Sequence, residues 1–178
     1  EIITVPAKGM LHGIELRDKQ IEAIDNMVAV KRCVFDGITS SGKTEVMAGV
    51  IKALGIPKTL VLIKGVQLMD QTADRLAARL QVEVGVIHTS PAALHAPVVV
   101  CSIDTLSRRL EDPKFTKWLE TKVKVLFADE CHLVPGTTFG TCMAAVGASY
   151  RFGLSATAFD PDNMLANLTL IGATGEVG

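Results

Sequence analysis

Two short segments carry most of the chemistry this chain could do. Gly37-Ile38-Thr39-Ser40-Ser41-Gly42-Lys43-Thr44 is a complete phosphate-loop pattern: glycine, four residues, glycine, lysine and a hydroxyl residue. Gly37 and Gly42 permit backbone angles that turn successive amides inward, so Thr39, Ser40 and Ser41 are expected to line a phosphate chain. A helix pattern starts at Lys43 and adds its positive N-terminal end. Lys43 is the group that reaches the β- and γ-phosphates, and Thr44 offers a hydroxyl to magnesium. The second segment, Leu126-Phe127-Ala128-Asp129-Glu130-Cys131-His132, runs from an apolar strand pattern into two carboxylates. Two charges at the tip of a buried strand are costly without a cation. Magnesium accounts for Asp129, and a water to be activated accounts for Glu130. His132 either bridges the nucleotide to a neighbouring element or is a packed core histidine; the residue type alone suits both.

These groups must be held by something. The 178 residues suffice for one α/β domain with a real core. Hydrophobic residues make up 48% and aromatics only 4%, which calls for an aliphatic core of the kind a helix-covered parallel sheet provides. Strands are expected at Cys33–Phe35, Thr59–Ile63, Val84–Ile87, Val98–Cys101, Val123–Ala128 and Tyr150–Leu154. Between them, Gln20–Val30, Lys43–Leu54, Gln67–Leu80 and Asp104–Leu110 space their apolar residues as helices do. This alternation implies a doubly wound, mostly parallel sheet with helices on both faces. Ligands in such folds bind at the carboxyl ends of the strands, where both motifs fall.

Eighteen basic against nineteen acidic residues give a net charge of −1, so any binding of nucleic acid has to be local. Cys33, Cys101, Cys131 and Cys142 lack zinc or redox spacing and read as reduced thiols near strands. No apolar run approaches the ~20 residues of a membrane span, and no charged-then-apolar leader opens the sequence. A cytoplasmic protein without membrane contact is expected. The glycine-rich close from Ile171 to Gly178, without a helix-ending cap, suggests an excised fragment.

The order Gln20, GITSSGKT, ADECH and Gly153-Leu154-Ser155-Ala156-Thr157 resembles the first RecA-like domain of superfamily 2 helicases and translocases over nearly the whole chain. Within that superfamily, DECH followed by Leu133-Val134-Pro135 looks most like the branch of phage recombination helicases, XPB-like repair helicases and restriction-enzyme motor subunits. The resemblance implies a RecA-like phosphate-loop NTPase fold filling residues 1–178, with ATP and Mg²⁺ as cofactors. It implies that Gln20 hydrogen-bonds adenine with Arg17 nearby, and that Ser155, Ala156 and Thr157 couple the γ-phosphate site to a nucleic-acid path. From the residues alone, Ser155 and Thr157 are hydroxyls that serve as well to cap a helix near Asp160. If the source is a phage, the host cytoplasm is the compartment.

The implied partners are nucleic acid, DNA rather than RNA, and a second RecA-like domain of the same protein, absent from this chain, that supplies catalytic arginines. In the resembled family the loop after the second strand carries a Pro-Thr-Arg or Pro-Thr-Lys sequence. Here Ile63-Lys64-Gly65-Val66-Gln67 replaces it, leaving Lys64 and the amide of Gly65 as phosphate donors. After the fourth strand, Cys101-Ser102-Ile103-Asp104-Thr105-Leu106 resembles the family's Thr-Leu signature, so Thr105 is expected to present a hydroxyl and an amide to phosphate. Arg108 and Arg109 follow, as phosphate donors or as a solvated basic face. A GTPase would need an Asn-Lys-x-Asp guanine reader, which the sequence lacks, and a nucleotide kinase has no use for Glu130 beside Asp129. A nucleotide-binding interaction module without turnover is harder to square with Lys43 and Glu130 both in place.

Overall fold

The structure, a computed structural model, describes residues 3–36, 42–88, 91–129 and 137–155. Its elements run α1 (Asp18–Val30), β1 (Arg32–Asp36), α2 (Lys43–Ala53), β2 (Thr59–Ile63), α3 (Met69–Leu80), β3 (Val84–Ile87), β4 (Val98–Ser102), α4 (Ile103–Arg109), α5 (Pro113–Thr121), β5 (Val125–Asp129), α6 (Thr137–Ala144) and β6 (Tyr150–Ser155). Single turns of 3₁₀ helix at Val66–Leu68 and Pro91–His95 fall between them. The six strands form one sheet in the order β1-β6-β5-β2-β4-β3, every pair parallel.

The central aliphatic runs are strands because both of their sides are buried, completely so in β2 and β4. Along β2, Val61 and Ile63 enter one core, while Leu60 and Leu62 enter the other. The first core is filled by α1, α2 and α3, through residues such as Ile24, Met27, Met47, Ile51 and Leu76. The second is filled from α4, α5 and α6, through Leu106, Phe115, Leu119, Phe139 and Met143. Cys33 and Cys101 lie in strands and Cys142 in α6, all as free buried thiols. Burial pushes the Cys33 thiol up to about 11 and the Cys101 thiol up to about 12. Both are protonated at neutral pH and pack as small apolar groups. Cys131 lies outside the described residues.

Two helices were not among those expected. Helix α5 begins on an Asp112 cap, whose Oδ1 accepts from Lys114 N at 2.9 Å, with Pro113 at its first position. Helix α6 contains three threonines and a glycine, poor helix formers. It is stabilised from outside itself: the Arg151 guanidinium on β6 donates to the carbonyls of Met143 at 2.7 Å, Ala148 at 3.2 Å and Val146. No described helix is long and apolar enough to cross a membrane.

Helix α2 is buried over every residue but Lys52, so it must meet neighbours on all sides. Gly49 is what lets α1 approach it, since a Cβ there would lie 2.2 Å from Ile24 Cδ1 and 2.9 Å from Ile24 Cγ1. Overpacking of this kind costs about 1–3 kcal/mol. Gly49→Val is therefore expected to lower the thermal unfolding midpoint by roughly 5 °C, followed by circular dichroism. An unchanged midpoint would mean that α1 and α2 part without penalty.

Candidate functional site

Strand β6 lies between β1 and β5, so the carboxyl ends of three strands stand side by side. In register, Asp129 faces Leu154 and Asp36 faces Ser155. The phosphate-loop strand, the Ser155 strand and the Asp129 strand thus finish at one level of the sheet. Gly42 forms the N-cap of α2, and its carbonyl accepts from Val46 N at 3.1 Å. Lys43 follows as the first helical residue, its side chain only 4% exposed, with Nζ 3.8 Å from Asp129 Oδ1. The Asp129 carboxylate is 23% exposed. An ammonium so nearly enclosed is stable only beside a counter-charge, and Asp129 provides one. Thr44, next in the helix, is buried as well.

Gln20 is 5% exposed on α1. Its Oε1 accepts from the Arg17 amide at 2.9 Å and from Arg17 Nε at 3.4 Å. The two residues named for base reading are therefore one hydrogen-bonded unit at the start of α1. Both lone pairs of Oε1 are engaged by Arg17, and the side-chain amide carries two N–H donors that a base nitrogen can accept.

The residues expected to meet nucleic acid gather on the other half of the same sheet edge. Strands β2 and β4 are neighbours, with Ile63 level with Ser102, so Lys64 and the start of α4 emerge together. Lys64 is exposed, and Gly65 adopts φ +90°, a conformation that suits glycine alone, with open space where a side chain would sit. Arg108 is exposed, its Nε donating to Asp104 O at 3.1 Å. Arg109 instead lies over the Phe115 ring at 5.7 Å, a packing role. At Thr105 a local partner engages the group expected to meet phosphate. The Thr105 amide donates to Ser102 Oγ at 3.1 Å, and its Oγ1 accepts from the Ser102 hydroxyl at 2.9 Å, so the Ser102 cap has taken the amide meant for phosphate. The side chain is 7% exposed.

Gly37, Thr39, Ser40 and Ser41, the residues Glu130 and His132, and Ala156 with Thr157 lie outside the described residues; for Ser155 only its place in β6 is described. The sequence reading passed over Glu45 and Arg79, which pair across α2 and α3, with Glu45 buried and Arg79 half-buried. The signal available was Glu45 itself, a charge set among Val46, Met47 and Ala48 in a helix apolar on every side.

The family described as type III restriction enzyme, res subunit, matches residues 13–160. The DNA 3'-5' translocase XPB2 of Sulfurisphaera tokodaii is 28% identical over 144 residues, 81% of this chain and 31% of that protein. The probable helicase D10 of Escherichia phage T5 is 26% identical over 125 residues, 70% of this chain and 26% of that protein. The chain thus spans less than a third of the length of these relatives. Among solved structures, the UvsW helicase from bacteriophage T4 is similar with a TM-score of 0.75 at 20% identity, covering 94% of this chain and 61% of that one. The Sulfolobus solfataricus SWI2/SNF2 ATPase core in complex with dsDNA matches with a TM-score of 0.75 at 14% identity, covering 97% of this chain and 37% of that one. At these identities the two structures speak to the fold, and the six-stranded parallel sheet is the one they share. With a family match that opens ahead of Gln20 and closes beyond Thr157, this chain belongs to the family of type III restriction enzyme res subunits, as a first RecA-like domain of the superfamily 2 helicases and translocases.

Proposed function

We propose that this chain is the ATP-binding half of an ATP-dependent DNA helicase or translocase. The observation that carries the reading is the buried Lys43 ammonium 3.8 Å from Asp129, which joins two distant motifs at one level of the sheet. Lys43 and the amides of residues 37–44 bind the triphosphate, and Gln20 with Arg17 orients the base and favours adenine. The hard oxygen donors Thr44 and Asp129 suit magnesium, which when bound neutralises charge on the β- and γ-phosphates. Glu130, next after Asp129, accepts a proton from the attacking water. Ser155 ends β6, the strand between those of the two motifs, with Ala156 and Thr157 next in the sequence, and His132 comes two residues after Glu130; both segments are suited to pass the state of the γ-phosphate onward.

DNA is favoured as the track because one relative is named a DNA translocase and one similar structure holds dsDNA. Lys64, Gly65 and Arg108 supply the groups that meet the DNA backbone beside β2 and β4, with Thr105 holding the turn. Each phosphate of duplex DNA that a protein neutralises adds about 0.9 to the slope of log affinity against log salt. Lys64→Ala with Arg108→Ala is expected to flatten that slope by roughly two units for every sequence alike, in fluorescence anisotropy with labelled duplexes. A slope equal to wild type would move the path elsewhere.

The whole reading is tested by ATP hydrolysis, with and without duplex DNA, in this chain alone and in a longer protein carrying a second RecA-like domain. The chain alone should turn over slowly with little response to DNA, and the longer protein should be stimulated by it. Failure of both to hydrolyse ATP would overturn the assignment.

A further inference from the structure

One ion pair outside the triphosphate site, between a buried Glu45 and an Arg79 whose side chain is 24% exposed, has incomplete hydrogen bonding. Glu45, in the first turn of α2, has a side chain 5% exposed, with Oε1 3.7 Å from Arg79 Nε on α3. Among the described residues, Glu45 Oε2 and Arg79 Nε are buried side-chain atoms without a hydrogen-bond partner. A buried carboxylate held this loosely by a half-buried guanidinium gains little stability over apolar side chains of similar volume, so the pair is read by what it connects.

On its other side Arg79 holds the turn that leads into α1. Its backbone carbonyl accepts from His12 N at 3.0 Å, and its Nη1 donates to His12 O at 3.3 Å. Gly13, at φ +71°, is so close that a Cβ there would lie 3.3 Å from Nη1. This turn belongs to a loop closed by Leu16 N donating to Lys8 O at 3.0 Å, with Leu11 and Leu16 buried. The next residues are Arg17 and, one turn later, Gln20. Arg79 therefore touches the segment that enters the base-reading unit and the helix that begins with Lys43 and Thr44.

We propose that Arg79, acting through Glu45, is a positioning residue that sets the base-reading unit of Arg17 and Gln20 against the phosphate-loop helix. The proposal rests on the reading of Gln20 as the adenine reader. The 3.7 Å and 3.3 Å separations exceed the 2.7–2.9 Å of good charge-assisted hydrogen bonds, so both have room to shorten. A ligand bridging base and phosphate sites favours the shortened arrangement, because it gains only where both ends fit. Base recognition, more than triphosphate binding, then depends on Arg79.

The test is calorimetric titration of the 178-residue chain with ATP, GTP and inorganic tripolyphosphate. Removing Arg79 alone strands a buried carboxylate, so the variants are Glu45→Gln combined with Arg79→Met, and Arg79→Lys. The double variant removes both charges; the lysine balances Glu45 but cannot also hold His12 O. Each is expected to reduce the preference for ATP over GTP about fivefold or more, with tripolyphosphate affinity within about twofold of wild type. A wild-type ATP preference in Arg79→Lys, or in the folded double variant, overturns the proposal. Should the double variant fail to fold, Arg79→Lys decides. A wild-type chain that binds tripolyphosphate but does not distinguish ATP from GTP overturns the adenine-reading assignment itself, and the Arg79 proposal with it.

Discussion

Replacing Lys43 with methionine is expected to weaken the binding of ATP and of tripolyphosphate by about 10- to 100-fold. That range corresponds to the ~1.5–3 kcal/mol contributed by a hydrogen bond to a charged group. Methionine is the informative substitution because the Lys43 stem is packed: its side chain is 4% exposed in a helix buried on every side. A shorter side chain would confound the missing charge with a cavity. Arginine is expected to fail as well, since a planar guanidinium does not fit a slot that a compact ammonium fills, and it cannot approach Asp129 with the same geometry. The loss should be similar for both ligands, because Lys43 addresses phosphate and not the base. Titration calorimetry on this chain reads it directly. Binding of tripolyphosphate to Lys43→Met at wild-type affinity would remove the phosphate loop from the site and leave the 3.8 Å approach of Lys43 to Asp129 as structure alone.

The contrast between Lys43 and Arg79 shows what was legible in the sequence. Phosphate binding demands inward amides, a lysine and a helix start in a fixed local order, so the pattern over residues 37–44 can be read without the fold. The adjacent Glu45 cannot, because its partner comes from another helix through a tertiary approach. The strands follow the same division. Thr59–Ile63 was legible to the residue because all five positions are buried and therefore apolar or nearly so. Val123 and Lys124, expected in β5, lie ahead of it; Lys124 N donates to Lys58 O, outside the β2–β5 ladder. Helix α5 has only Phe115 and Leu119 buried, too few positions for a period to emerge. Helix α6 has no local preference to read, since Arg151 and the packing of Phe139, Cys142 and Met143 hold it. At Thr105 the sequence reading left out a competing local bond. A serine three residues before a backbone amide at a helix start is a capping arrangement, and that local bond takes the donor before any ligand can.

Glu130→Gln is expected to separate binding from turnover in a longer protein that carries the second RecA-like domain. Glutamine keeps the shape of the side chain and its capacity to hydrogen-bond water, but it cannot accept a proton. Loss of a positioned general base costs about 10²–10⁴ in rate, while ATP affinity should stay near wild type because Lys43, Thr44 and Gln20 are untouched. The arginine that neutralises the transition state comes, on this reading, from the second domain, and such fingers supply about 10³–10⁵. In this chain alone the same substitution should have a small effect, because the turnover it removes is already slow. That difference between the two proteins is the sharper measurement. If Glu130 were only a second holder of magnesium, Glu130→Gln would weaken ATP binding equally in both proteins and leave the response to DNA intact. If it is the base, binding survives in both and DNA-stimulated hydrolysis disappears from the longer one. Full hydrolysis by Glu130→Gln in the longer protein would transfer the base to another residue, even though β5 delivers Asp129 to the site and Glu130 is the next residue in the chain.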